Sequence, residues 1–291
     1  MIVVAAALVL FGVAQAGSHD LRPELKIEKV DSKLGFAEGP VWSREGFLLF
    51  SDAPNNRIVK LAPGERPVTY REGTHGANGL TLDAQGRLYM CEWQSRRLTR
   101  VDKKGNFEML AEKWEGKKLN APNDVVVRRD GNIYFTDPAF GGQKDTRELD
   151  FFGVFHITPK GEMEVLAKPK GRPNGIALSP NGKILYVANS DEKNVRAYDL
   201  DKAGVASNER VVVSGIEGVP DGMRTDEKGN LYVAAKNVFV YDPQGKPLYN
   251  IKLGETPANC AFGDADLQTL YITARTSVYR VRLDVKGSVQ Y

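Results

Sequence analysis

The sequence predicts an all-β fold, a six-bladed β-propeller, because three of its features agree. A motif that starts with a polar residue recurs six times, at steps of 40, 45, 51, 47 and 38 residues. Each copy contains short strand-like segments separated by turn residues. No convincing helical pattern of ten or more residues follows the apolar leader. Repeats of roughly 40 residues, each with about four strands, are typical of a propeller.

The first strand of each unit follows a side chain that can offer an oxygen atom. In most copies a glycine comes directly after that residue, and an apolar run follows. The corresponding segments are AEGPVW, ANGLTL, PNDVVV, PNGIAL, PDGMRT and ANCAFG. Their polar residues are Glu38, Asn78, Asn123, Asn174, Asp221 and Asn259.

The later strands of each unit follow at similar offsets. The second strands read GFLLFSD, GRLYMCE, GNIYFTD, GKILYVANS, GNLYVAA and QTLYITA. Turn pairs such as Asp130-Gly131 and Asn181-Gly182 suit tight hairpins between successive strands. The segment ELKIEKV, which precedes the first unit, has strand character. We expect it to complete the last blade, because this pairing closes the ring and protects an exposed sheet edge.

Length and composition are compatible with one large all-β domain over residues 17–291. The chain has 291 residues, of which 42% are hydrophobic and 26% are charged, so it can build a sizeable core. Its 40 basic and 37 acidic residues give a net charge of +3. This balance does not indicate nucleic-acid binding. We expect a monomer that acts on a small molecule.

Residues 1–16, MIVVAAALVLFGVAQA, predict a cleaved export signal. The apolar stretch is short and ends in Ala14-Gln15-Ala16, a small-x-small cleavage pattern, although no Lys or Arg precedes it. A membrane anchor is the alternative. With the signal removed we expect no membrane association and a periplasmic or secreted location.

Cys91 and Cys260 fall in strands of different units, and we predict two buried free thiols.

The six polar residues that begin the repeats predict a cation site. The first strand of each blade lines the central channel of a propeller, so equivalent positions form a ring at one end of it. This ring contains two carboxylates and four amides. Such a set of oxygen donors suits Ca²⁺, and another divalent cation is possible. Zinc is disfavoured, because the chain has three histidines and no Cys/His cluster.

Each position of the ring has a simpler interpretation when it is considered singly. Asn-Gly, Asp-Gly and Asn-Asp are turn-forming pairs, and only the shared register of all six positions favours a metal site. Glu38 fits the turn interpretation less well than the others do.

Other polar residues near the predicted ring have two interpretations each. Acids and amides at the ends of the second strands either orient ligands and touch substrate or belong to solvated loops; they are Asp52, Glu92, Asp137 and Asn189. His75 either shuttles protons or is an exposed loop residue. Residues 138–153 form a long loop whose Phe140, Phe151 and Phe152 either cover the site or pack on the blade edge.

Residues 34–283 resemble the gluconolactonase/regucalcin (senescence marker protein) family of six-bladed propellers. The resemblance rests on EGPVW, LNAPNDVVVRRDGNIYFTDPAFG, RPNGIALSPNGKILYVANSD, PDGM and NCAFG. The bacterial gluconolactonases are the most similar branch, through PNDVVV and YFTDP. The family binds a divalent metal, usually calcium, in its channel and hydrolyses sugar lactones.

The resemblance implies roles for particular residues. Glu38, Asn174 and Asp221 would be direct metal ligands, and Asp221 would also be the catalytic acid/base. Asn123 would contact the metal, its water or the substrate, and Asn78 is a weaker substrate-binding candidate. Regucalcin-type members carry an arginine that binds sugar hydroxyls two residues before the equivalent of Asn123. The present chain has Ala121 there, so the preferred lactone is not fixed by the resemblance.

We therefore expect a calcium-dependent lactonase. The metal would polarise the lactone carbonyl, and Asp221 would activate water and later protonate the ring oxygen. The chain lacks a Gly-x-Ser-x-Gly nucleophile elbow, which disfavours a serine mechanism. Two alternatives stay open: a hydrolase of other esters or organophosphates, and a non-catalytic propeller that calcium only stabilises. A strictosidine-synthase-like propeller is disfavoured, because that chemistry needs no ring of oxygen donors.

Overall fold

The computed structural model describes residues 25–289 as six four-stranded antiparallel sheets, with a separate two-stranded ribbon. The first strands of the six sheets contact one another in a closed cycle, which makes them the lining of a central channel. This confirms the predicted six-bladed propeller. The predicted export signal of residues 1–16 lies outside the described residues.

The first half of the described chain forms three blades. It begins with β1 (Ile27–Asp31). Blade 1 follows as β2 (Ala37–Ser43), β3 (Phe47–Asp52), β4 (Arg57–Leu61) and β5 (Val68–Glu72). Blade 2 contains β6 (Ala77–Leu82), β7 (Leu88–Glu92), β8 (Arg97–Val101) and β9 (Phe107–Ala111). A short ribbon, β10 (Lys113–Trp114) and β11 (Lys117–Lys118), leads to blade 3. Blade 3 contains β12 (Val125–Val127), β13 (Ile133–Asp137), β14 (Gly153–Ile157) and β15 (Met163–Ala167).

The second half forms the other three blades. Blade 4 contains β16 (Pro173–Leu178), β17 (Ile184–Asn189), β18 (Asn194–Leu200) and β19 (Ala206–Val213). Blade 5 contains β20 (Met223–Thr225), β21 (Leu231–Ala234), β22 (Val238–Tyr241) and β23 (Pro247–Ile251). Blade 6 contains β24 (Asn259–Gly263), β25 (Thr269–Ala274) and β26 (Ser277–Arg282), and β1 completes it.

Helical structure within residues 25–289 is limited to two short 3-10 segments. They are Ala53–Asn55 and Gly141–Thr146. Across the same residues, no helix has the length and apolar character needed to cross a membrane.

The N-terminal strand closes the ring, as the sequence predicts. β1 pairs antiparallel with β26, with Ile27 opposite Val281. On the same pair of strands, the guanidinium of Arg280 lies 2.8 Å from the Glu28 carboxylate. The pairing gives blade 6 its outer strand, and it joins the two ends of the described chain through backbone hydrogen bonds.

The core is divided into six clusters of buried apolar side chains, and each cluster lies between two neighbouring blades. The second strands are buried on both faces, which is why segments such as FLLFSD and IYFTD are nearly continuous apolar runs rather than alternating ones. Cys91 and Cys260 are free and buried in two different clusters, which confirms the predicted thiols.

The C-terminal segment crosses the end of the channel at which the first strands finish. Gly287 forms a β-bridge with Asp226, and the backbone N–H of Ser288 donates to the carbonyl of Thr225 at 3.0 Å. The carbonyl of Val289 accepts a hydrogen bond from Arg129 in blade 3. A cavity of about 70 Å³ lies beneath this segment and is bordered by first strands of blades 1, 2, 5 and 6. The opposite end, at which the first strands begin, is called the upper end below.

Glu255, in the loop that precedes β24, links β1 to β26 through several hydrogen bonds. Its carboxylate accepts from Lys29 Nζ at 3.0 Å, from Tyr279 Oη at 3.0 Å and from the Thr276 backbone and hydroxyl. Ser277 donates through its hydroxyl as well. Partial burial opposes ionisation, but these hydrogen bonds outweigh it and lower the pKa of Glu255 to about 2.

Replacing Glu255 with glutamine should lower the free energy of unfolding by about 2 kcal/mol at pH 7, because a charged hydrogen-bond acceptor is lost. The folded-state pKa lies below that of the unfolded chain. The contribution is therefore present above about pH 4.5 and disappears as the pH falls towards 2. Equilibrium denaturation of wild type and Glu255→Gln should show a smaller difference at pH 3.5 than at pH 7.

The matched control is Glu217→Gln, since Glu217 pairs with Lys236 on the surface and both side chains are exposed. This substitution should leave the free energy of unfolding unchanged, because exposed ion pairs contribute little. Equal destabilisation by the two substitutions would contradict the role assigned to Glu255.

Candidate active site in the channel

The polar residues that begin the six repeats all lie at the upper end of the channel. Four of them lie within the first strands of their blades, whereas Asn123 and Asp221 lie two residues before β12 and β20. In blades 1, 2 and 4 the pairing between the first and second strands is irregular at this point. Such bulges redirect side chains away from the regular alternation of a strand. We refer to Glu38, Asn78, Asn123, Asn174, Asp221 and Asn259 as the channel ring.

The glycine that follows a ring residue allows the next blade to approach closely. A Cβ atom on Gly79 would lie 2.5 Å from the carbonyl oxygen of Asn123, and one on Gly175 would lie 2.2 Å from that of Asp221. Gly39 faces the Asn78 carbonyl in the same way, at 2.0 Å. The Asn-Gly and Asp-Gly pairs are therefore sites of contact between blades, and the simple turn interpretation does not account for them.

Side chains of the ring also contact one another. Asn259 Nδ2 donates to Glu38 Oε2 at 3.1 Å, across the junction of blades 6 and 1. Asn78 Nδ2 donates to the carbonyl oxygen of Asn123 at 3.2 Å, across the junction of blades 2 and 3. Hydroxyl groups of the second strands hold the ring backbone in place. Ser51 Oγ, for example, donates to the Asn78 carbonyl at 2.6 Å.

Asn174 presents a buried oxygen atom to the channel without a hydrogen-bond donor. Its amide nitrogen donates to Ser190 Oγ at 3.1 Å, and Ser190 Oγ donates to the Pro220 carbonyl at 2.8 Å. Asn174 Oδ1 is buried and has no hydrogen-bond partner among the described residues. An unpaired buried acceptor is costly unless something else satisfies it. A cation would do so.

Two carboxylates of the ring are strongly perturbed by their surroundings. Burial, and next the negative charge of Asp124, raise the pKa of Glu38 to about 7. Removal from water, and then the charges of Glu38 and Asp124, raise the pKa of Asp221 well above its usual range. The amide of Asn174 beside Asp221 acts in the opposite direction. The raised values record how strongly negative charge is concentrated in the channel.

Asp124 and Arg224 also belong to this region, and the sequence analysis missed both. Asp124 is 1% exposed and occupies the position where four other blades have glycine after the ring residue. Arg224 lies three residues after Asp221 on β20, with Nη1 3.8 Å from Asp124 Oδ2. The signal that could have revealed them is a break in the repeat: each is a charged residue where most copies have a small or apolar one.

Within residues 25–289, no group of three or more His, Cys, Asp or Glu side chains is arranged so that it could hold a metal ion by itself. The channel ring instead combines two carboxylates with amide oxygens. This donor set excludes a zinc site of the usual type and suits a hard cation.

Polar residues at the ends of the second strands brace the blades rather than facing a ligand. Asp52 is 0% exposed, pairs with Arg57 at 2.9 Å and accepts from the Gly35 backbone. Asp137 accepts from two backbone N–H groups, those of Asn120 and Ala121. Glu92 and Asn189 likewise bond within their own blades. Their interpretation as solvated loop residues was wrong, because all four are buried.

Comparison with known proteins now decides the family. A family model described as SMP-30/Gluconolactonase/LRE-like region matches residues 36–276. The chain belongs to this family. The match covers every ring residue and five complete blades, and it extends to β25 of the sixth.

Several members of the SMP-30/gluconolactonase family resemble this chain over most of its length. A gluconolactonase of Zymomonas mobilis is 33% identical, with 90% of this chain and 82% of that protein aligned. The structure of XC5397 from Xanthomonas campestris, described as a gluconolactonase, has a TM-score of 0.82 and 32% identity, and it covers 89% of both chains. Diisopropyl-fluorophosphatase of Loligo vulgaris is 27% identical over 90% of this chain and 94% of its own.

His75 precedes the ring residue Asn78 by three positions. It is exposed on a loop and has a left-handed backbone conformation, with φ of 51°. The loop of residues 138–153 contains three partly exposed rings, those of Phe140, Phe151 and Phe152. Arg172 stacks over Phe140, with its guanidinium 4.6 Å from the ring centroid. Phe151 packs against the cluster between blades 2 and 3. The latter contact agrees with packing on the blade edge rather than covering the channel.

Replacing Gly79 with alanine should destabilise the protein by about 2 kcal/mol, because the added methyl group would overlap the backbone of the next blade. The matched control is Gly254→Ala, where a Cβ would meet only Tyr279 Oη at 3.7 Å. That change should alter stability by less than about 1 kcal/mol. Thermal and urea denaturation of both variants would measure the difference, and similar melting curves would contradict the proposed close contact.

Proposed function

We propose that this protein is a calcium-dependent hydrolase that opens sugar lactones. Its main support is the 33% identity to a gluconolactonase over 90% of the chain, combined with an intact channel ring. Residues 1–16 support a periplasmic or secreted location, as proposed from the sequence. The substrate class is a small lactone, and a monomer is the simplest state for a propeller closed by its own first strand.

The residues of the channel fit a divalent cation. Glu38, Asn174 and Asp221 would hold it, and the unpaired Oδ1 of Asn174 is the observation that supports this best. The charged groups that line this region are the carboxylates of Glu38, Asp124 and Asp221 and the guanidinium of Arg224. When all four are ionised, their net charge is −2. A dication would neutralise that charge. Ca²⁺ accepts mixed carboxylate and amide ligands, although another divalent cation would satisfy the same charge.

The residues of the ring divide the chemistry between them. When bound, the cation would supply a Lewis acid that polarises the lactone carbonyl and stabilises negative charge on its oxygen. Asp221 would take a proton from the attacking water and return it to the ring oxygen that leaves. Asn123 and Asn78 are partly exposed beside the cation site and would bind substrate. Ser190 would keep the Asn174 oxygen directed into the channel.

A second candidate is a hydrolase of other esters or of organophosphates. The similarity to diisopropyl-fluorophosphatase over nearly the whole chain favours it, and the same channel could serve either reaction. A third candidate is a propeller whose cation only stabilises the ring. These three alternatives differ in which substrates are turned over, so a substrate panel separates them.

Replacing Asp221 with asparagine should lower kcat/KM for the preferred lactone by a factor of about 10² to 10⁴, the usual contribution of a general base. The assay would use a panel of aldonolactones, simple γ-lactones and an organophosphate, with and without a chelator. Wild-type activity should fall on chelation and return when Ca²⁺ is added. Asp242→Asn, an equivalent change in a turn of the same blade, should retain wild-type activity.

The pattern of activities decides among the candidates. Turnover of lactones alone supports the proposal, and preferential turnover of the organophosphate supports the second candidate. Chelation that lowers the melting temperature of a protein with no turnover would favour the stabilising cation. Full lactonase activity after chelation would remove the cation from the mechanism.

A further inference from the structure

Arg224 introduces a positive charge directly below the channel ring. It is the third residue after Asp221 on β20, and its side chain is 13% exposed. Nη1 donates to the carbonyl of Met223 at 2.7 Å, and Nη2 approaches that of Pro40 at 3.5 Å. The corresponding positions of the other blades are uncharged: Val41, Thr81, Val126, Ala177 and Phe262.

Asp124 is the group that Arg224 faces. Their closest charged atoms, Nη1 and Oδ2, are 3.8 Å apart. The Asp124 carboxylate also accepts from the backbone N–H groups of Val125 at 2.9 Å and Ile176 at 3.3 Å. The hydrogen bond from Ile176 joins blade 4 to blade 3, whereas Val125 belongs to blade 3 itself. Asp124 therefore joins two blades at the level of the ring, and Arg224 contributes a third blade to the same contact.

The net charge of the channel depends on this pair. When all are ionised, three carboxylates and the Arg224 guanidinium together carry −2, the charge that one divalent cation cancels. Without Arg224 the same region would carry −3. Loss of one partner of a buried ion pair is costly, because the other charge stays buried and uncompensated.

We propose that Arg224 is a positioning residue that holds Asp124 and sets the charge of the channel to match one divalent cation. The inference rests on the proposed cation site. It states that the Arg224–Asp124 pair, which lies outside the proposed set of cation ligands, adjusts the affinity of that site for the cation. Arg224 stabilises the channel before the cation arrives, and it also limits how tightly the cation binds.

Three variants change the channel charge in different directions. Arg224→Met would leave −3, Asp124→Asn would leave −1, and the double variant would restore −2. Affinity for CaCl₂, measured by isothermal titration calorimetry on chelator-treated protein, should therefore be highest for Arg224→Met and lowest for Asp124→Asn. The double variant should bind like wild type. Each unit of charge should change the dissociation constant on the order of tenfold.

Stability of the chelated protein gives a second readout that does not depend on activity. The melting temperature of Arg224→Met without cation should fall, and the rise on adding CaCl₂ should exceed that of wild type. Arg224→Lys keeps the charge and should keep both the affinity and the melting temperature near the wild-type values. If Arg224→Met does not fold, the comparison of Asp124→Asn with the double variant still decides, because removing Arg224 should then raise the affinity.

The outcomes separate this inference from the proposed function. Calcium binding by the wild type in the stated order of variants supports both. Two results would overturn the charge-setting role while leaving the cation site in place. In the first, the wild type binds calcium but Arg224→Met binds it more weakly than the wild type does. In the second, the double variant binds calcium more weakly than Asp124→Asn does. A wild type that binds no calcium would overturn the proposed function, and this inference with it.

Discussion

The close approach of neighbouring blades at the upper end of the channel is the constraint on which the rest of the site depends. A carbonyl oxygen of one blade lies where a side chain of the previous blade would otherwise stand, and glycine makes this possible at Gly39, Gly79 and Gly175. At these three junctions the contact limits the distance between one ring residue and the next. Six small repeats, none of which could bury its own faces, thereby form one ring with a narrow interior.

The concentration of carboxylates in the channel is unfavourable for folding. Glu38 and Asp221 have raised pKa values because they are removed from water and lie near another carboxylate. Groups of this kind are unfavourable for stability and cluster at functional sites. The surrounding polar contacts are arranged to hold these residues in place. Asn259 donates to Glu38 and Asn174 donates to Ser190, so protein hydrogen bonds fix the orientation of these ring side chains.

Much of this molecule could be predicted from the sequence, because its repeats carry the same information six times. The blades and the six ring positions follow from the shared register. The closing strand follows from the need to complete the last blade, and the free thiols from the placement of the two cysteines in different units. The β10–β11 ribbon could not be predicted, since it occurs once and lies outside the repeat. Asp124 and Arg224 were missed for a related reason. The comparison of the six repeats looked for residue types that the copies share, whereas each of these charged residues occurs at its position in one copy only. The buried braces Asp52 and Asp137 were misread because local sequence does not show which loop folds back on them.

The pairing of β1 with β26 also affects how the protein is made. Ile27 and Val281 are partners in the closing sheet although nearly the whole described chain separates them. β1 therefore has no partner in its sheet until β26 of the last blade has been synthesised. Contacts between distant parts of a chain slow folding, because a long loop must close before they form. The ring therefore stays open until nearly all of the described chain is available to fold.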